Sequence, residues 1–264
     1  MADFEDKNQA GFRDGGELGQ NHTRVHHNED LGREARIPGP PGPNPHGFYG
    51  QIGLAAHAVT LMLLATQFMG WRGVNSPQVY VGNLWFFAGL YMFTTAQWCL
   101  IKGETFAYLV FGVFSGFYLS FAAVLTPAFG VAAAYMGEAG TSSSGAAELQ
   151  SLAIFLLVWN GAFTIIFIAS LRTNICLVIV FFGVIMGVWL LAGMYLQLAS
   201  VAQAAGQGSA SMAVKLSQAG GAFLFLSACS GFYLVVVQLF ESVDMPFKLP
   251  VGNMAGLWPK KKTA

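Results

Sequence analysis

One side chain that titrates near neutrality interrupts an otherwise uncharged apolar stretch: His57, in GLAAHAVT at residues 53–60. At helical spacing it shares a face with Gly50, Gly53, Thr60 and Leu64. An imidazole there can sense pH or pass protons. The alternative is a neutral histidine hydrogen-bonded to a neighbouring helix. In FAYLVFGVFSGFYL, residues 106–119, Phe111, Phe114, Ser115 and Tyr118 fall on one helical face, with Gly112 and Gly116 on another. That aromatic face reads equally as core, lipid contact or pore constriction. The glycine pair and a second one, Gly183 and Gly187, read as sites of close helix approach.

The absences are equally informative. Asp, Glu, Lys and Arg are missing from the interior of every long apolar run. Buried charges in a bilayer usually mark ion pathways, so a pump built on a carboxylate relay is not expected. The remaining polar residues in these runs are mild: Gln97, Thr126, Asn160, Thr164, Ser170, Gln197 and Ser227. A path lined by them suits a small, weakly polar or transiently neutral solute. It does not suit a dehydrated metal ion, which needs rings of carbonyls or carboxylates. With no P-loop, nucleophile elbow or metal-ligand spacing, the chain is not expected to be an enzyme. Neither catalytic residues nor cofactor nor metal is assigned.

These residues must be held by helices. Of 264 residues, 55% are hydrophobic and 10% charged, with mean hydropathy +0.54. A soluble domain carries about 25% charged residues. The charges crowd into the first 36 positions and leave uncharged runs at 37–71, 73–101, 105–137, 149–171, 173–214 and 216–240. Each exceeds the roughly 20 residues that a helix needs to cross a bilayer. The fold class is therefore all-α, a polytopic membrane protein with six transmembrane helices. Their expected positions are 50–70, 80–101, 105–127, 150–171, 174–198 and 217–240. The brief connections IKGET and LRTN force their flanking helices to be antiparallel neighbours.

Lys and Arg placement orients the chain. With the N-terminus inside, Arg33, Arg36, Lys102, Arg172, Lys248 and Lys260–Lys262 are cytoplasmic, and only Arg72 and Lys215 are outside. Both termini are expected to be cytoplasmic. Residues 1–47 read as a disordered tail with the lead-in IPGPPGPNPHG, 48–240 as the membrane domain and 241–264 as a second tail. The polar, acidic start is not a cleavable signal peptide, and the sequon Asn21–Thr23 should stay unmodified on a cytoplasmic tail. Cys99, Cys176 and Cys229 lack metal or redox spacing and read as buried reduced thiols. Zero net charge gives no support for nucleic-acid binding.

SGFYL occurs twice, at Ser115–Leu119 and Ser230–Leu234. Six passes place the copies on antiparallel helices, as an inverted three-plus-three repeat would. Five identical residues from an alphabet rich in Gly, Phe, Leu and Ser also arise by chance. In the second copy Cys229 stands at the place of Phe114 and is expected to pack.

Several blocks, in order, resemble the acetate uptake transporter family, which includes the bacterial succinate–acetate permease and fungal homologues. They are GETFAYLVFGVFSGFYLSFAAVLTPAFG at 103–130, ELQSLAIFLLVWNGAFTIIFIASLRTN at 148–174, FFGVIMGVWLLAG at 181–193, QAGGAFLFLSACSGFYL at 218–234 and FKLPVG at 247–252. The resemblance covers roughly residues 48–252. It implies a homo-oligomer, hexameric in bacterial members. It also implies uptake of acetate and other short carboxylates, succinate included, coupled to protons, with a pathway in each protomer.

The departures fall at the path. Family members open the first helix with NPAPLGL, of which only Gly53-Leu54 is kept, and Glu104 stands where the family has Asn. Bacterial members narrow the path with Phe, Tyr and Leu. The aligned positions here hold His57, Phe114 and Val184, which, with Tyr118 one turn on, become the expected constriction, and Glu104 the cytoplasmic mouth.

The expected function is a plasma-membrane transporter or channel for small monocarboxylates, working with protons. A channel for small neutral solutes such as urea, amides or ammonia is the second reading. A non-transporting sensor that uses the charged tail is the third. The expected partners are the carboxylate solute, protons, the lipid bilayer and further copies of the chain.

Overall fold

The structure is a computed structural model and describes residues 50–74, 76–137, 144–203 and 208–254. The N-terminal tail with its sequon, the Pro/Gly-rich lead-in and the last ten residues lie outside the described residues. Among the described residues six helices are long and apolar enough to cross a membrane: α1 Gly50–Phe68, α2 Gln78–Lys102, α3 Thr105–Leu125, α4 Ser144–Ser170, α5 Ile175–Ala202 and α6 Ala210–Ser242.

Local chemistry sets the helix ends. α1 stops at Phe68 rather than residue 70, because Gly70 takes a left-handed conformation, φ 69°. The α2–α3 turn closes on Gly103, φ 75°. There Gly103 N–H donates to Leu100 O and Glu104 N–H to Cys99 O, the paired bonds of a Schellman cap. α3 ends before Pro127, which cannot continue the ladder. Asn174 and Ser209 cap α5 and α6 by accepting the amides of Leu177 and Met212.

Three expectations on helix extent are corrected. α4 begins at Ser144 rather than 150 and α6 at Ala210 rather than 217, because Ala146 and Ala213 are buried and draw polar first turns into the helix. α5 runs on to Ala202 rather than 198. A short helix, Val131–Gly137, follows α3 and was not anticipated. Within α2, residues Asn83–Tyr91 form a π-helix before regular α-helix resumes at Met92.

The helices form a ring in the spatial order α2, α1, α6, α5, α4, α3. Small residues bring neighbours together. A Cβ on Gly220 would sit 3.1 Å from Gly187 O on α5, and one on Gly221 would sit 2.9 Å from Ala65 O on α1. α6 is thus wedged closely against both. Of the two GxxxG pairs, only Gly183 and Gly187 make a close seam. A Cβ on Gly112 would stand 3.9 Å from Ala96 on α2 and one on Gly116 would face Trp159 on α4, so that pair serves two different neighbours. The ring closes between α3 and α4 through aromatic side chains: Phe117 meets Phe155, Trp159 and Phe163 at centroid distances of 6.0, 5.6 and 5.3 Å.

The SGFYL copies occupy equivalent places. Ser115 Oγ donates to Gly89 O on α2, and Ser230 Oγ donates to Cys176 O on α5, each at 2.8 Å. Gly116 faces α4 and Gly231 faces Ala58 on α1. Exchanging α1–α3 with α4–α6 maps each set of contacts onto the other. α6 is antiparallel to α1, as Gln51–Gln238 and Phe68–Ser217 contacts at opposite ends require. α1 runs parallel to α3, since Gly53 meets Phe111 and His57 meets Tyr118. α3 and α6 are therefore antiparallel, which is the arrangement of an inverted repeat. Cys229 does not pack as expected: it is exposed, because the turn of α6 carrying it faces away from the ring. Of the three thiols Cys99 alone is buried, and Cys176 is half-buried.

Beyond α6 the chain folds back on the α4–α5 turn. Asn253 bridges Asn174, Ile175 N–H donates to Gly252 O and Met254 N–H to Thr173 O. Tyr233 donates its hydroxyl to Pro250 O at 2.7 Å. Residues 249–254 thus form a strap across one face of the ring.

Candidate functional site

The candidate constriction lies where side chains of α1 and α3, the two neighbours of α2 in the ring, meet. Gly53 lets them approach: a Cβ there would lie 3.0 Å from the Phe111 ring and 2.9 Å from Thr95. One turn on, His57 Nδ1 lies 3.1 Å from the Tyr118 hydroxyl, within hydrogen-bond distance. The imidazole stands edge-on to Phe114, centroids 4.8 Å apart at 75°. His57 is 3% exposed, and its Nε2 has no hydrogen-bond partner among the described residues. An unsatisfied nitrogen at that depth carries a desolvation cost unless something polar visits it.

Phe114 is the centre of the site. Phe163 of α4 stacks on it at 4.6 Å and 5°, and Phe181 of α5 lies at 5.9 Å and 24°. Offset-parallel rings at these distances attract one another beyond their burial. Against them lies a cavity of about 30 Å³, lined by Leu61, Leu64 and Phe68 of α1, Phe114, Phe117, Tyr118 and Phe121 of α3, Leu156 and Phe163 of α4, Val184, Val188, Leu191 and Tyr195 of α5, and Leu224 of α6. That volume is room for one or two water molecules.

Phe68, Phe121 and Tyr195 also line a second space of about 380 Å³, between the ends of α1, α3 and α5 and the start of α6. Gln67, Gln78 and Ser217 give this vestibule a polar, uncharged fringe. The rings of His57, Phe114, Phe163 and Phe181 lie at the far end from the vestibule.

The structure therefore brings His57, Phe114 and Tyr118 into direct contact, and sets Val184 on the wall of the same cavity as Phe114 and Tyr118. Glu104 lies elsewhere, exposed at the α2–α3 turn before the first residue of α3. The expected mild polar lining is corrected. Thr126, Thr164, Ser170 and Ser227 give their hydroxyls to the backbone oxygens of Ala122, Asn160, Phe167 and Val180. Thr126, Thr164 and Ser170 turn back to carbonyls one turn earlier in their own helix, as short hydroxyl side chains do, and Ser227 ties α6 to α5, so these hydroxyls are taken up by backbone oxygens and the cavity wall is apolar. Asn160 Nδ2 donates to Ile185 O at 3.3 Å, and Gln197 accepts the Ser209 amide. Phe163, Phe181 and Tyr195 were not singled out from the sequence. With 23 phenylalanines in the chain, an aromatic residue by itself is no signal.

Among the described residues no group of three His, Cys, Asp or Glu could hold a metal ion. Comparison with known proteins gives consistent matches. The model of the GPR1/FUN34/yaaH family matches residues 44–256. The acetate transporter protein patA of Aspergillus clavatus is 34% identical over 210 residues, covering 79% of each chain. Protein alcS of Aspergillus fumigatus is 32% identical over 214 residues, 80% of this chain and 76% of the relative. The solved structure of the bacterial acetate channel SatP superposes with TM-score 0.60 at 20% identity, over 77% of this chain and 98% of that one. Six helices long and apolar enough to cross a membrane, together with these matches, make this chain a multi-pass membrane protein of the GPR1/FUN34/yaaH family, and its named relatives include transporters rather than enzymes.

Proposed function

We propose that the protein carries small monocarboxylates such as acetate across the plasma membrane, together with protons. The carrying observation is the cavity of about 30 Å³ between the vestibule and the His57–Phe114–Tyr118 cluster. Its walls offer an ionised carboxylate no counter-charge, and moving such a group out of water without a partner is prohibitive. The solute therefore passes as the neutral acid or beside a proton held on His57. His57 Nε2 is the polar atom next to Phe114 that could meet it. The names of the fungal relatives support acetate as the solute.

In this reading the strap face is cytoplasmic. It carries Lys102, Arg172 and Lys248, whereas Arg72 and Lys215 flank the other side. Glu104 marks the cytoplasmic mouth and the vestibule faces outward. The apolar residues exposed on the outside of the ring, among them Phe86, Leu90 and Ile165, contact lipid or further copies in a homo-oligomer.

Labelled acetate uptake into proteoliposomes, with and without a pH gradient, tests the reading. A gradient, acid on the vestibule side, should raise the initial rate. In His57→Phe, retention of the full pH dependence would place the proton on the solute rather than on the imidazole. The uncharged fringe of Gln67, Gln78 and Ser217 also suits small amides. Uptake blocked by urea but not by propionate would favour that second reading.

A further inference from the structure

We propose that Phe163 sets the upper size of the solute that this path passes. The inference rests on the transport reading above and names a residue which neither the family resemblance nor the sequence pattern points to. Phe163 is fully buried. Its ring lies flat on Phe114 at 4.6 Å and edge-on to Phe117 at 5.3 Å and 85°, so it is held from two directions. It also borders the cavity of about 30 Å³ directly.

Its position is different in kind from the other lining residues. α1, α5 and α6 reach the cavity by close backbone packing, built on Gly183, Gly187, Gly220 and Gly221. α4 approaches α3 mainly through aromatic side chains. On α4 the cavity wall is made by Leu156 and Phe163, and of the two it is the Phe163 ring that stacks on Phe114, so shortening Phe163 widens the path there. The cavity has room for one or two water molecules, so a two-carbon acid asks the least displacement of the stacked pair. Each further methylene must take space that the ring occupies, and discrimination in an apolar pocket runs at about tenfold or more per methylene.

The experiment measures initial uptake of acetate, propionate and butyrate into proteoliposomes for the natural chain, Phe163→Leu, Phe163→Ala and Phe155→Leu. Phe155 belongs to the same aromatic cluster but does not line the cavity. The propionate-to-acetate ratio should rise about tenfold and the butyrate-to-acetate ratio about a hundredfold in the Phe163 variants, and both should stay unchanged in Phe155→Leu. An unchanged ratio in a folded Phe163 variant overturns the proposal. So does an equal rise in Phe155→Leu, which would mean a loosened bundle. Should the alanine variant fail to fold, Phe163→Leu and a further variant, Phe163→Met, give the same comparison. Acetamide, propionamide and butyramide are run in parallel. Vesicles that pass amides but no acetate would defeat the carboxylate reading, while the amide ratio still judges Phe163. Vesicles closed to both series defeat both.

Discussion

His57 has one partner, the Tyr118 hydroxyl, and a second ring nitrogen without one. Removing the partner should therefore cost more than removing the histidine. Tyr118→Phe leaves a buried imidazole with neither nitrogen paired, at a cost of about 1–3 kcal/mol. In a His57→Phe background the buried Tyr118 hydroxyl has itself lost this partner, so the same change should cost nothing or be stabilising. Thermal unfolding of the two single variants and the double variant in detergent measures the coupling, and additive losses would mean that the pair is not a working contact. This cluster was partly legible in the sequence. A histidine amid uncharged residues stands out, and helical spacing sets Phe114 and Tyr118 on one face. Phe163 was hidden, because a sequence shows which residues share a face of one helix and not which faces of different helices meet.

At the scale of elements, the glycines divide by what stands opposite them. On Gly187 a Cβ would meet Leu224 Cδ2 at 2.6 Å and Gly220 O at 3.1 Å, and the carbonyl of a packed helix cannot rotate away. Gly187→Val should destabilise by about 1–3 kcal/mol through overpacking. Gly112 meets nothing closer than 3.9 Å. Gly112→Ala should be neutral or stabilising by up to about 1 kcal/mol, the gain in helix propensity. Thermal unfolding of both variants checks the contrast, and equal losses would contradict the packing described. The GxxxG spacing is the same in both pairs, so the sequence could not tell them apart; only the neighbours do. The π-helical stretch of α2 was equally hidden. Its surroundings include the Gly89 carbonyl held by Ser115 and the Leu119 side chain against Gly89, both brought by α3.

At the scale of the molecule, six helices in the right places were readable, because each uncharged run is long enough to span a bilayer and no soluble core needs six of them. The equivalence of the SGFYL copies was readable only as a question, and the serine and glycine contacts of the two halves answer it. The strap was not readable at all: FKLPVG has no periodicity, and its partners lie at residues 173–175. It depends on Gly252, whose φ is 65° and where a Cβ would run into Ile175 Cγ2. Gly252→Val should release it. Limited proteolysis should then cut near residues 249–254 much faster, with far-UV circular dichroism of the helices unchanged. Equal cleavage rates in the variant and the natural chain would show that the strap is held by something other than this contact.

The strap also sets an order of events during synthesis. The turn at Thr173–Ile175 leaves the ribosome roughly eighty residues before Gly252 and Met254, a lag of about 4–16 s at ordinary elongation rates. Until then the Thr173 carbonyl and the Ile175 amide lack the partners that they have in the finished fold. The clasp closes only after α6 has been made. It is a late event in maturation, and an antibody or crosslinker directed at the open turn would distinguish nascent chains from completed ones.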